Sequence, residues 1–455
     1  MIKLYKEPRR VAYEVSLAVT RDGRRPDEAL GSLDRLLGPR DRRLARSLVY
    51  EGLRHRLRLD SLARSMVPDG KPPKKALEVL ILGLTQLLFL GRVPAFAAVS
   101  ETVSLAKAVA PHQAGLVNAV LARLAREKEA KGLDPERLFP AETCPPGMSP
   151  GDRLSAFYSY PSWLAQKAVG TLGFREARAF MVASNSHPRP TLRANPLKVT
   201  REELRAFLPW PSSPTYYSPY GLRPEGGSGP VESWPGFREG LWAIQDEASQ
   251  LLALLAGEPE SVLDCCAGLG GKTLALATVF PGASLFSVDT SAMRLAHIPP
   301  ESLRLGVKKT PLAIMSDMLA LEPGQGSLPK SVSLAVVDAP CTSLGVIRRR
   351  PDIKWNSRPE GLAAKASLQL DLLLKASDFV APGGRLVYCV CTFTDEEGPQ
   401  VLARFLARKP AFFPLGPEGF DQPLTDLFIG PGMMRLWPHK HNTDAFFYGL
   451  FERHI

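Results

Sequence analysis

The chain has few cysteines and few histidines for its length. Six of the 455 residues are cysteine and seven are histidine. The cysteines lie at positions 144, 265, 266, 341, 389 and 391. Only one residue separates Cys389 from Cys391, which is not the spacing of a zinc site, and we interpret His439 and His441 as loop residues. We therefore predict no metal site and expect free thiols, as in a reducing cytoplasm.

The sequence also lacks a long hydrophobic run. The longest one, around residues 80–90, is interrupted by Gly83 and Gln86 and is too short to cross a bilayer. The first ten residues, MIKLYKEPRR, contain no apolar region of the kind found in secretory signals. We therefore expect a cytoplasmic protein without a membrane partner. With 45% hydrophobic and 23% charged residues the chain is typical of globular proteins, and its length suits two or three domains.

Acidic residues are scarce in the first part of the chain. The net charge is +11, and residues 1–130 alone hold 24 Lys and Arg against 14 Asp and Glu, a net of +10. Such an excess indicates a polyanionic partner, most often nucleic acid, although a solvated basic surface would have the same composition. Helical periodicity over residues 5–128 predicts an all-α bundle in this basic region.

An acidic residue and a thiol follow a predicted strand in the last third of the chain. Residues 334–337 form a short apolar run that predicts a buried strand, and Asp338 lies where this strand should end. Pro340, Cys341 and the basic residues 348–350 come next. Because ligands of open α/β sheets bind at the carboxyl ends of the strands, this position suits catalysis. A strand end with a structural cysteine is the alternative interpretation.

Further carboxylates follow other predicted strands of this region. Asp264 ends one strand and precedes a glycine-rich loop that leads into a helix, where backbone N–H groups can approach a ligand closely. Asp289 ends the next strand, where such folds bind ribose hydroxyls, and Asp317 follows a third, where it suits an adenine amino group. Each acid alone would more often be a turn residue or a helix cap. The loop is neither GxGxxG nor a Walker A motif, which disfavours a dehydrogenase and a P-loop NTPase.

Several phrases resemble known families. DRRLARSLVYEGLRHRLRLD and AGLVNAVLARLAR look like the NusB-type helical RNA-binding domain. LDCCAGLGGKT, DAPCTSLGVIRRRPDIKW and GGRLVYCVCTFTDEE resemble motifs of the RsmB (Fmu/Sun) type of 16S rRNA cytosine-C5 methyltransferase. The resemblance covers essentially the whole chain. It implies a multidomain protein with a NusB-like all-α bundle at 1–135, a linker at 136–160, a small α+β RRM-like module at 161–240, and a Rossmann-like α/β methyltransferase domain at 241–455.

The resemblance also implies roles for individual residues. Cys391 corresponds to the nucleophile, Cys341 assists product release, and Asp338 positions the base. Because DNA cytosine methyltransferases use the Pro-Cys thiol as nucleophile, the sequence alone leaves the two thiol roles exchangeable. The implied contacts of S-adenosylmethionine are Cys266, Ala267, Gly268, Leu269, Gly270, Gly271, Lys272, Asp289, Arg294, Asp317 and Asp338. Those of ribosomal RNA are Arg42, Arg43, Arg46, Arg348, Arg349 and Arg350.

The chain departs from the family pattern at four positions near these motifs. Gly268 and Leu269 replace the usual Ala-Pro of the cofactor loop, Val390 replaces the Thr before the catalytic cysteine, and Gly398 replaces an Asn. The cysteines and acids are intact, so we expect activity and no obligate protein partner. Methylation of transfer RNA or of another ribosomal cytosine, and a catalytically weak RNA-binding or assembly factor, remain the alternatives.

Overall fold

The computed structural model describes residues 7–132, 147–227 and 229–454, which form two compact units. The first unit contains the described residues up to Ser186 and also the segment Ile347–Pro359. The second contains His187–Val346 and the residues from Glu360 onwards. Within the described part of the chain, no helix is long and apolar enough to span a membrane.

The first unit is helical, as predicted from the periodicity of residues 5–128. The helix Lys74–Phe89 is buried along almost its whole length, and the other helices pack their apolar faces around it. Pro8, Pro26 and Pro39 begin three of these helices, in the first-turn position where a missing N–H costs no hydrogen bond. The α-helices among the described residues of this unit are Pro8–Asp22, Pro26–Leu33, Pro39–Arg54, Arg56–Ser65, Lys74–Phe89, Ala95–Val109, Ala114–Lys131, Pro150–Tyr158, Ser162–Ser184 and Ile353–Asn356.

The stretch interpreted as a linker, residues 136–160, contains a helix. Residues 133–146, with Cys144, lie outside the described residues, but Pro150–Tyr158 is a helix whose N-cap Ser149 accepts a hydrogen bond from the Asp152 N–H. The following helix, Ser162–Ser184, belongs to the first unit and not to the small module expected to begin at 161. The prolines of this stretch suggested a linker, but Pro150 lies in the first turn of a helix, where proline is tolerated.

A segment from the middle of the second unit's sequence completes the first unit. In Ile347–Pro359 the side chain of Lys354 is fully buried, and its Nζ donates to Arg54 O (2.7 Å), Ser159 O (2.8 Å) and Asn185 Oδ1 (3.2 Å). The Trp355 indole N–H donates to Leu53 O at 2.8 Å. The segment is thus held by hydrogen bonds to three helical regions of the unit.

We expect the substitution Lys354→Met to destabilise the first unit. Met fills a similar volume but leaves two buried carbonyl oxygens and the partly buried Asn185 Oδ1 without their donor. This should lower the free energy of unfolding by about 2–4 kcal/mol. Urea denaturation of the full chain, followed by circular dichroism, measures this loss. Lys75→Met, at an exposed position of the helix Lys74–Phe89, is the control and should change stability by less than about 0.5 kcal/mol. Equal midpoints for the two variants would contradict the structural role of Lys354.

The second unit begins with a small four-stranded antiparallel sheet. Its strands are β1 Leu192–Ala194, β2 Ser212–Pro214, β3 Gly221–Pro224 and β4 Trp242–Ile244. The spatial order β2-β3-β1-β4, with the helix Arg201–Phe207 between β1 and β2, is that of RRM-like modules. The capping box predicted from Thr200 and Glu203 is present. Strand β4 lies beyond the boundary expected at residue 240, because it pairs with β1 to complete this sheet.

The rest of the second unit is a Rossmann-like α/β domain built on a nine-stranded mixed sheet. Strands β5 to β9 pair in parallel in the order β9-β8-β5-β6-β7, so their carboxyl ends share one edge. Antiparallel strands extend the sheet beyond β9. The strands are β5 Ser261–Asp264, β6 Ser284–Asp289, β7 Leu312–Met315, β8 Val332–Asp338, β9 Val380–Val390, β10 Phe412–Pro414, β11 Phe428–Gly430, β12 Met433–Leu436 and β13 Phe446–Arg453. The helices are Glu247–Gln250, Leu252–Leu255, Gly271–Val279, Ala292–Leu295, Ile298–Leu305, Glu360–Ser377, Pro399–Leu406 and Pro438–His441.

Candidate active site

Two thiols meet at the carboxyl edge of the central strands. Strand β8 ends at Asp338 and β9 ends at Val390, so the loop after β8 and the residue after β9 are neighbours. The Sγ atoms of Cys341 and Cys391 are 3.3 Å apart. The hydrogen bond from the Cys341 thiol lowers the pKa of Cys391, and the same bond raises the pKa of Cys341. Cys391 is therefore the thiol that more readily becomes a thiolate.

A carboxylate and an ammonium group lie beside the thiol pair. Lys272 Nζ is 2.6 Å from Asp338 Oδ2, and it lies 5.3 Å from the centre of the Phe446 ring. Burial lowers the pKa of Lys272, but the charge and hydrogen bond of Asp338 together with the neighbouring Cys389 and Cys391 raise it overall. The thiol of Cys389 donates to Asp338 Oδ1 at 3.5 Å. Asp338 keeps a third of its side chain exposed, so it can still contact a ligand.

A buried carboxylate, Glu397, joins the two cysteine loops. Its Oε1 accepts from the Thr342 N–H at 2.8 Å and from Gln369 Nε2 at 2.9 Å, and its Oε2 accepts from the Thr342 and Thr394 hydroxyls. The side chain is fully buried. Since Thr342 follows Cys341 directly and Glu397 lies six residues after Cys391, these bonds fix the separation of the two sulfurs.

The glycine-rich loop after β5 and the acid after β6 form an open cradle. Gly268 has a left-handed backbone, with φ of 55°, and its N–H donates to Asp289 Oδ2 at 2.9 Å. The other oxygen of Asp289 is 3.0 Å from the Arg294 guanidinium. A Cβ built at Gly268 would meet nothing within 4 Å, so there is room above the loop. Leu269 is exposed, and so is Asp317 in the loop after β7.

The carboxyl group of Asp264 lies beneath this cradle. Burial raises its pKa from the ordinary value of 3.8 to about 6, although the Thr273 hydroxyl donates to its Oδ2 at 2.6 Å. In the unfolded chain the group loses its proton near pH 3.8. Between these two values the folded state therefore binds more protons, and stability falls as the pH rises through this window.

We expect the substitution Asp264→Asn to remove this pH dependence. From pH 4 to pH 6 the free energy of unfolding of the variant, relative to that of the natural chain, should rise by about 2–3 kcal/mol, because Asn does not titrate. Denaturant titrations at pH 4, 5, 6 and 7 measure the two profiles. Parallel profiles would show that Asp264 titrates alike in the folded and the unfolded chain.

The arginines proposed as RNA contacts differ in exposure. Arg42, Arg43 and Arg46 are exposed on the helix Pro39–Arg54. Arg349 and Arg350 are half-buried, and Arg350 forms a bidentate pair with Asp352. Arg348 is only 5% exposed, which leaves its side chain little surface for a phosphate. The nearby Arg54 and Arg58 are also buried: Arg54 donates to Arg348 O, and the Arg58 guanidinium lies over the Phe157 ring.

Sequence reasoning missed three residues of the thiol site. Ser343 has its Oγ 3.6 Å from the Cys391 sulfur, Cys389 contacts Asp338, and Glu397 joins the two loops. Cys389 could have been found, because strand periodicity places residues 389 and 391 on the same face. Ser343 and Glu397 carry no such signal. Within the described residues, no group of three or more His, Cys, Asp or Glu side chains could hold a metal ion.

Comparison with known proteins identifies the family. The family described as 16S rRNA methyltransferase RsmB/F matches residues 251–452, and the NusB family matches residues 6–126. A relative from Synechocystis, "Probable ribosomal RNA small subunit methyltransferase B", is 33% identical over 458 residues, covering 96% of this chain and 98% of its own. The chain belongs to the RsmB/F methyltransferase family. The prediction of an RNA methyltransferase is thereby confirmed.

Solved structures confirm the fold of this RsmB/F-family chain. The crystal structure of PH0851 has a TM-score of 0.76 and 24% identity, covering 98% of this chain and 99% of its own. The structure of NSun6 from Pyrococcus horikoshii with SFG has a TM-score of 0.55 and 21% identity, covering 64% of this chain and 98% of its own. The prediction of a NusB-like bundle followed by a Rossmann-like methyltransferase domain is confirmed.

Proposed function

We propose that this RsmB/F-family enzyme transfers a methyl group from S-adenosylmethionine to C5 of a cytosine in 16S ribosomal RNA. The observation that carries the proposal is the pair of sulfurs 3.3 Å apart beside Asp338. C5 of cytosine is a poor nucleophile, and addition of a thiolate to C6 makes it reactive. A second thiol next to the first suits the reversal of that addition. We infer the substrate from the name of the relative from Synechocystis, which refers to small-subunit ribosomal RNA.

The cradle residues fit S-adenosylmethionine. The buried carboxylate of Asp289 suits the ribose hydroxyls, the exposed carboxylate of Asp317 suits the adenine amino group, and Gly268 leaves open space above the loop. When bound, the cofactor supplies an electrophilic methyl group. The NSun6 structure was solved with SFG, an analogue of S-adenosylmethionine. Leu269 replaces the usual proline at an exposed position, where no packing depends on the ring.

The proposed mechanism gives each side chain at the thiol pair one task. The Cys391 thiolate adds to C6 of the splayed cytosine, and the Asp338 carboxylate holds the edge of the base by accepting from its N4 amino group. The Lys272 ammonium beside Asp338 offsets the negative charge that develops on the ring. Lys272 holds the Asp338 carboxylate in place. After C5 has been methylated, water accepts the C5 proton, the electron pair of that C–H bond restores the C5–C6 double bond, and the bond between Cys391 and C6 breaks with its electrons returning to sulfur as the thiolate. Cys341 assists this release.

RNA binding is assigned to the basic residues of the first unit. Arg42, Arg43 and Arg46 lie on exposed parts of one helix and suit phosphate contacts, which position an RNA without reading its sequence. Arg349 and Arg350 retain partial exposure and stay in the proposal, whereas burial makes Arg348 a weaker candidate. A cytoplasmic location and the lack of an obligate protein partner stay predictions.

The test is transfer of a labelled methyl group to defined RNAs. The full chain is incubated with methyl-labelled S-adenosylmethionine and unmodified 16S rRNA, 23S rRNA or transfer RNA, and the digested product is analysed for 5-methylcytidine. We expect label in 5-methylcytidine with 16S rRNA alone. Label in transfer RNA or 23S rRNA instead would support the related enzyme with a different target. RNA binding without transfer to any of the three would support the assembly-factor alternative.

A further inference from the structure

The loop that carries Cys341 is held in an unusual backbone conformation. Ser343 has a φ of 59°, the left-handed region that residues with a Cβ adopt rarely and at a cost in energy. It is one of three non-glycine residues with positive φ in the described part of the chain. Such a conformation persists only where the surroundings fix it, and it is often found at functional sites.

Contacts on both sides of Ser343 hold this conformation. Thr342 is bound through its N–H and its hydroxyl to the buried Glu397. On the other side, the Gly345 N–H donates to Cys391 O at 2.9 Å, and the Ala445 N–H donates to Gly345 O at 3.0 Å. A Cβ on Gly345 would overlap Ala445 O, so the loop packs directly on neighbouring backbone. These contacts prevent the backbone at Ser343 from moving to a conformation of lower energy.

The strained backbone brings the Ser343 hydroxyl to the thiol pair. Its Oγ is 3.6 Å from the Cys391 Sγ and 3.8 Å from the Cys341 Sγ, both within the range of a hydrogen bond to sulfur. A protonated Cys391 donates to this oxygen. When the sulfur is a thiolate, the hydroxyl rotates and becomes the donor, because a serine hydroxyl can serve in either role.

We propose that Ser343 is a catalytic residue whose hydroxyl donates a hydrogen bond to the Cys391 thiolate and increases the fraction of that thiol ready to attack C6. The proposal rests on the proposed function, since it assigns the attack to Cys391. A hydrogen bond to the charged form of a group favours that form, and hydrogen bonds from Cys341 and Ser343 both lower the pKa of Cys391. Once the Cys391 sulfur is bonded to C6 it is a weak hydrogen-bond acceptor. The hydrogen bond from Ser343 therefore stabilises the thiolate more than the adduct, and it also eases release of the methylated RNA.

Two substitutions distinguish the effect of the Ser343 hydroxyl from the effect of the strained backbone. Ser343→Ala removes the hydroxyl and keeps the strained Cβ, whereas Ser343→Gly removes both. If the hydroxyl acts on the thiolate, both variants should alkylate Cys391 with iodoacetamide about tenfold more slowly at neutral pH than the natural chain. Mass spectrometry of the Cys391 peptide reports the rate between pH 6 and pH 10. Ser331→Ala, at an exposed position of the same unit, should leave the rate unchanged.

Each result has a distinct meaning. Slower alkylation in both variants, with a pH profile displaced to higher pH, supports the proposal. Slower alkylation in Ser343→Ala with the natural rate in Ser343→Gly would assign the effect to the backbone conformation and would overturn the proposal. The natural rate in both variants would also overturn it. Alkylation needs neither RNA nor cofactor, so this outcome stands even if no RNA is methylated. In the methyltransferase assay, both variants should lower kcat and leave the KM for S-adenosylmethionine unchanged.

Discussion

A Cys391→Ala variant should transfer no measurable methyl group, and a Cys341→Ala variant should accumulate a covalent protein–RNA adduct. Without the Cys391 thiolate there is no addition to C6, so the rate should fall by on the order of 10⁴-fold or more. Without Cys341 the addition still occurs, but release is impaired. Denaturing gels with labelled 16S rRNA detect the adduct as a slowly migrating band.

The proposed roles rest on the different acidities of the two thiols. The two sulfurs are 3.3 Å apart, and the hydrogen bond between them lowers the pKa of Cys391 and raises that of Cys341, which makes Cys391 the better nucleophile. An adduct trapped in Cys391→Ala, with no transfer in Cys341→Ala, would mean that the roles are exchanged. Cys265→Ala is the control, because Cys265 is buried after β5 and has no assigned role. It should transfer methyl groups and leave no adduct.

The second large effect is expected from Asp338→Asn. Asn keeps the shape of the side chain but loses its charge, so the pairing with Lys272 across 2.6 Å weakens. The Lys272 ammonium is then no longer held where it offsets the negative charge on the cytosine. Removing one group that stabilises developing charge typically costs 10²- to 10³-fold in rate, and we expect a loss of about that size in the single-turnover rate.

Asp378→Asn is the matched control for this substitution. Asp378 also pairs with a lysine, Lys409, across 2.6 Å, but it is exposed on the surface of the same unit. The control should lose less than twofold in rate, since surface pairs contribute little. If Asp338→Asn instead kept its single-turnover rate and lost affinity for S-adenosylmethionine, Asp338 would serve the cofactor rather than the base.

The strand-end acids and the Gly-rich loop could be predicted from the sequence because they follow short apolar runs that form parallel strands. Asp289, Asp338 and Cys391 all follow or end such runs, and parallel strands bring their carboxyl ends to one edge. The all-α character of the first unit could also be predicted, since most of the residues that the helix Lys74–Phe89 buries are apolar.

The rest depended on long-range contacts that no local pattern encodes. The left-handed backbone at Ser343 depends on Glu397, 54 residues later in the chain, and nothing in the phrase around Ser343 indicates it. The basic run 348–350 has the composition of a phosphate site, yet Arg348 is buried and Lys354 is a buried hydrogen-bond donor. A lysine is buried only where hydrogen-bond partners surround its Nζ, and the partners of Lys354 lie 169 to 300 positions away in the sequence.

The discontinuous first unit has a consequence for biosynthesis. All of its described helices except Ile353–Asn356 lie within the first 186 residues, but the Trp355 and Lys354 side chains that pack on them are added only when residue 355 is reached. At about 5–20 residues per second, translation leaves the helical unit incomplete for on the order of ten seconds or more. A nascent chain halted before residue 347 should therefore expose the carbonyls of Leu53, Arg54 and Ser159, and a fragment ending at Ser186 should be less stable than the same helices within the full chain.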